Sequence, residues 1–146
     1  MNNKEPIIEF KDLNQVKKYL KWWQHKLFLD DWIIKIQLVP FNEMKIENSV
    51  GYTDWVDAKQ CARIDLAQYD SIDHDTIERI SQEKTLVHEL LHLKLGNMHN
   101  EYNTYESVYL EASQHKLVEQ MAKSFIMVKY NLDFKWFYNK KEENIE

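Results

Sequence analysis

The chain has 146 residues, is 44% hydrophobic and 29% charged, and carries a net charge of −5. That length favours one domain with a single real core, and that composition excludes a disordered chain. Two glycines and one cysteine exclude glycine-rich phosphate loops, a turn-rich β-barrel, an intramolecular disulfide and an all-cysteine zinc site.

Arginine occurs only at Arg63 and Arg79, so no arginine-rich face for nucleic acid is expected, and Lys135 to Lys141 reads as a solvated tail. Met1 to Phe10 carries acidic residues and no apolar stretch of the secretory kind. The apolar runs fall far short of the roughly 20 residues that a membrane span needs. With the lone Cys61, this predicts a cytoplasmic protein with no membrane and no nucleic-acid partner. One domain over residues 1–146 is expected, with flexible ends at 1–6 and 139–146.

After a short extended piece at Ile7 to Phe10, the first helix is predicted over Asp12 to Leu29. Leu13, Val16, Leu20, Trp23 and Leu27 form one stripe, with Asp12 and Gln15 in capping-box positions. Trp32 to Val39 alternates as a strand ended by Pro40. Val50 to Val56 and Gln60 to Ala67 predict two more strands around a turn at Asp57 to Lys59; Arg63 and Asp65 mark a wet face on the second. From Asp75 the period turns helical, with a break near Ser81 and a stop at Gly96. The last helix is predicted from about Thr104 to Tyr130, burying Leu110, Leu117, Val118, Met121, Ala122, Phe125 and Ile126. The order is that of an α+β domain.

The second helix carries His88-Glu89-Leu90-Leu91-His92. Four residues are slightly more than one helical turn, so His88 and His92 project from one face and can share one Zn²⁺. Glu89, one residue along, reaches a water at the metal without occupying a coordination position, as a general base must. Composition alone would yield about 0.02 copies of such a motif in a chain of this length.

A catalytic zinc takes a third protein ligand. His99 lies seven residues past His92, but Gly96 and His99 each fall one place late for the metzincin spacing. Glu111 and His115 stand four apart on one face of the last helix. That face continues into Val118, Ala122 and Phe125, which is how a ligand is presented to a facing helix. His115 is the favoured ligand, Glu111 the alternative, and the one left over can support a ligand by hydrogen bonding. Tyr102, Tyr105, Tyr109, His74 and His99 are candidates for stabilising an oxyanion. Cys61 reads as a small packing residue, and the five tryptophans as core or rim.

From about Leu27 to Phe125 the chain resembles the zincin metallopeptidases, in particular the minimal zincins of phages and mobile elements such as minigluzincins and SprT-like proteases. The resemblance rests on Leu29-Asp30-Asp31-Trp32, Ala62-Arg63-Ile64-Asp65-Leu66, Leu86-Val87-His88-Glu89-Leu90-Leu91-His92 and His115-Lys116-Leu117-Val118. It implies a minimal zincin fold: an N-terminal helix, a small, mostly antiparallel sheet, an active-site helix and a C-terminal ligand helix. It implies a third ligand on that last helix just before an apolar pair, which favours His115, whereas thermolysin-type gluzincins place a glutamate there, which fits Glu111. It also implies that the strand before the active-site helix, Cys61 to Ala67, is the sheet edge that holds substrate backbone.

The expected activity is zinc-dependent hydrolysis of a peptide or protein substrate, with His88, His92 and His115 on Zn²⁺ and Glu89 as general base. The alternative is a zinc-binding regulatory or interaction domain, of phage or mobile-element type, that cleaves little or nothing.

Overall fold

The computed structural model describes residues 3–96 and 105–138. Among them are three helices, α1 (Leu13–Lys26), α2 (Gln82–Leu95) and α3 (Tyr105–Tyr130), and three strands, β1 (Ile33–Val39), β2 (Gly51–Val56) and β3 (Cys61–Ala67). The architecture is α+β, as expected. The sheet is mixed rather than mostly antiparallel: its order is β1-β3-β2, with β3 parallel to β1 and antiparallel to β2. β3 is therefore the central strand and not the edge that the resemblance implies. The reason is burial. Ile64 to Ala67 are buried at four successive positions, which only a strand flanked on both sides permits, while β2 is at most partly buried along its length. Even the outer face is not fully wet, since Asp65 is buried beneath Gln37 and Arg63, which donate to its carboxylate at 2.8 Å.

Asp12 caps α1 by accepting from Gln15 N–H at 2.8 Å, and the Gln15 side chain returns to Lys11 N–H. The helix ends at Lys26, short of Leu29, because Phe28 takes a positive φ of 57° and Leu29 N–H turns back to Gln24 O. Its buried face is Val16, Tyr19, Leu20 and Trp23, while Leu13 stays outside.

The helical period seen from Asp75 does not form a helix before Gln82. Arg79 N–H is taken by Phe137 O at 2.6 Å, and Glu78 bridges to Tyr138, so the C-terminal segment holds this stretch extended. Ser81, where a break was expected, is the N-cap of α2: its Oγ accepts from Lys84 N–H and donates to Ile7 O. Ile7 and Ile8 carbonyls accept the N–H groups of Glu83 and Gln82. The N-terminal segment thus docks on the first turn of α2 instead of joining the sheet. Gly96, at φ 61°, ends α2 where the sequence placed its stop.

α2 runs through the middle of the core. Leu86, Val87, Leu90 and Leu91 are buried on all sides by the sheet, α1 and α3, and α3 answers with Val118, Ala122 and Ile126. Leu117, expected inside, is exposed; Met121 and Phe125 are partly buried, and the Leu110 side chain lies outside the described residues, as does the chain from 139 on. All five tryptophans pack in or against this core. No described helix is long and apolar enough to cross a membrane.

The first turn of α2 also buries a carboxylate. Glu83 accepts from Ile7 N–H at 2.9 Å, Trp23 Nε1 at 3.0 Å, Lys129 Nζ at 2.6 Å and Tyr130 OH at 2.7 Å. Lys129 in turn lies 4.1 Å from the Trp22 ring centroid. Three parts of the chain meet at this one acceptor on α2, and removing it leaves Lys129 uncompensated. Glu83→Ala is therefore expected to cost about 3–5 kcal/mol in urea denaturation; a loss below about 1 kcal/mol would contradict this tie.

A candidate metal centre in an open cleft

α2 presents His88 and His92 one turn apart, with ring centroids separated by 5.0 Å. α3 crosses α2 on Val118, Ala122 and Ile126, which brings His115, three residues before Val118, over the same point. Its ring lies 5.2 Å from each of the other two. One nitrogen from each ring falls within 4.8 Å of the others. Ligands of one tetrahedral ion at about 2.0–2.1 Å stand about 3.3–3.4 Å apart, a spacing that falls inside this limit. Of the third-ligand candidates, His115 joins the cluster. Glu111, one turn earlier on α3, is exposed and lines the cleft outside it. His99 lies outside the described residues.

The donor set fits a borderline cation such as zinc. Burial, with the neighbouring His88 and His115 rings, pushes His92 down to about 4. His115 is lowered too, by burial first and then by His88. Glu119 Oε2 accepts from His88 Nδ1 at 2.6 Å. That fixes the proton on Nδ1 and leaves Nε2 free for a metal, the orientation a ligand imidazole needs. Burial opposes the charge on Glu119, but the His88 hydrogen bond and Lys84, at 2.6 Å, outweigh it and hold the carboxyl at about 2.

Glu89 points from α2 toward β2 and is 5% exposed. Burial raises its pKa, partly offset by a hydrogen bond from Thr53 Oγ1 to Oε2. The three histidines and Glu89 line one cleft of about 570 Å³ between α2, α3, β2 and the loop before β2.

Sequence reading missed Glu119, Thr53 and Gly51. Glu119 had a signal, since it lies four residues after His115 and so shares its helical face. Thr53 and Gly51 had none, because their partner is 36 or more residues away and the pairing depends on how β2 packs on α2. The other expected candidates lie elsewhere or beyond view. His74 Nε2 pairs with Tyr69 O at 2.7 Å on the surface, and Cys61 Sγ donates to Lys59 O at 3.4 Å, away from the cleft. Tyr102 and the side chains of Tyr105 and Tyr109 lie outside the described residues. Compared with known proteins, the chain matches no family model, no curated protein and no solved structure.

The depressed His92 sets a sign for pH. The folded form refuses a proton that the unfolded chain takes up from about 6.5 downwards, so metal-free protein loses stability as pH falls from there to about 4. Wild type in chelator is expected to weaken relative to His92→Gln across that window in urea titrations. A difference that stays constant with pH would contradict the assignment.

Proposed function

We propose that this chain is a zinc-dependent metallopeptidase of minimal zincin type that hydrolyses peptide bonds in the cleft beside β2. The observation that carries this reading is the convergence of His88, His92 and His115 next to a buried Glu89 in one open cleft. A structural metal site closes its coordination with protein and has no use for an adjacent base.

Bound zinc would supply Lewis-acid chemistry, polarising the scissile carbonyl and acidifying water. His88, His92 and His115 would hold the ion, with Glu119 fixing the orientation of His88. Glu89 moves the proton. Thr53 occupies Oε2, which leaves Oε1 to take the proton from the attacking water and return it to the leaving amine. Its raised pKa makes it a stronger base than an exposed carboxylate. β2, not β3, borders the cleft, and its outer edge carries no strand among the described residues. An extended peptide laid along that edge would pair backbone to backbone beside Glu89.

Two measurements test this reading. Wild type is expected to cleave members of a random peptide library, and Glu89→Gln to keep zinc and fold while losing at least about 100-fold in rate. Zinc retention without any cleavage would favour a zinc-stabilised interaction domain instead. In chelator competition, His115→Ala is expected to release zinc far more readily than Glu111→Ala, since loss of an outer partner typically costs only about 10–100-fold. The reverse order would transfer the ligand role to Glu111.

A further inference from the structure

Strand alternation turns Gly51 and Thr53 toward α2, on the same face as their β3 partners Leu66 and Ile64. There the two residues treat the two oxygens of Glu89 differently. Thr53 Oγ1 donates to Oε2 and also lies 3.4 Å from the Glu89 carbonyl oxygen. Opposite Gly51 the packing is so close that a Cβ would stand 2.6 Å from Glu89 Oε1, 3.1 Å from Glu89 Cδ and 2.7 Å from Thr85 Cγ2. Thr85 cannot easily yield, because its Oγ1 is tied to Ser81 O at 3.0 Å. Nor can the Gly51 peptide readily turn, since Ser49 Oγ donates to its carbonyl.

From this geometry we infer that Gly51 and Thr53 on the edge strand are positioning residues that seat the Glu89 carboxylate for proton transfer. The inference deepens the metallopeptidase reading and rests on it for its purpose, though not for the contact itself. What the seat supplies is orientation. A glutamate side chain has several rotamers, and a general base acts only in the one that meets the attacking water. A hydroxyl donor on one oxygen selects that rotamer, and a charge-assisted bond of this kind is about twice as strong as a neutral one. The missing Cβ at position 51 leaves the space into which Oε1 fits. Neither residue touches the three histidines in any contact described, so the seat acts on the base and leaves the metal alone.

The test uses zinc-loaded full-length protein and four variants, Thr53→Val, Thr53→Ala, Thr53→Ser and Gly51→Ala. It reads zinc content, kcat and KM on a peptide that wild type cleaves, and the mobility of the Glu89 side chain. Mobility is followed by ¹³C NMR of the carboxyl carbon, assigned with Glu89→Gln. Thr53→Val and Gly51→Ala are expected to keep zinc and KM and to lose about 10- to 100-fold in kcat, with a mobile Glu89. Thr53→Ser, which restores the hydroxyl, is expected to recover most of kcat and an ordered Glu89. Thr53→Ala carries the same expectation as Thr53→Val and replaces it should the valine variant not fold.

A Thr53→Val or Thr53→Ala protein with wild-type kcat, or one whose Glu89 is as ordered as in wild type, overturns the seat. So does a loss of rate that tracks loss of zinc. If wild type cleaves no peptide, the mobility measurement still decides. Loosening of Glu89 without Thr53 then upholds the contact and overturns the peptidase reading, whereas an unchanged Glu89 overturns both.

Discussion

The burial of α2 is the constraint on which the rest of the fold depends. A helix enclosed by a sheet and two other helices can carry polar side chains only if a neighbouring element answers each one, because an unanswered buried charge costs several kcal/mol (order of magnitude). α2 carries Glu83, Lys84, His88 and Glu89 in this setting. Glu83 is answered by the N-terminal segment, α1 and α3. Lys84 and His88 are answered by Glu119 of α3, and Glu89 by Thr53 of β2. The elements surrounding the helix are thus fixed in place by the groups the helix presents.

The same constraint divides the helix into two ends with different chemistry. At its start, a carboxylate, an ammonium group and aromatic rings close into a saturated knot, which suits a structural tie. Toward its end, the partners leave capacity unused. Glu119 takes one nitrogen of His88, Thr53 takes one oxygen of Glu89, and the three imidazoles converge on a common point beside a cleft. Unused donor capacity gathered at one point is what a metal and a substrate require.

How much of this was legible depended on the range of the interaction. His88, Glu89 and His92 sit within one helical turn, so their spacing alone places them together. His115 was legible because Val118 and Ala122 continue its face and tell which way the helix packs. Glu119 lies on that same face, a signal that its residue type hides, since a carboxylate on a helix is ordinarily solvated. Gly51 and Thr53 depend on the approach of β2 to α2, which local pattern does not encode. Two misreadings have the same origin. Ile77 and Ile80 extend the helical period backwards from α2, yet pairing with Phe137 and Tyr138 overrides it. The alternation in β2 and β3 gave both strands but not the sheet order, which is decided by which strand buries both faces.

In the proposed site, α2 and α3 together present three imidazoles to one metal ion. X-ray absorption at the zinc edge, on protein purified without chelator at neutral pH, tests it most directly. One zinc per chain is expected, bound by three imidazole nitrogens at about 2.0–2.1 Å and one oxygen from solvent. Protein that retains no metal, or zinc held by two nitrogens and a carboxylate, would contradict it.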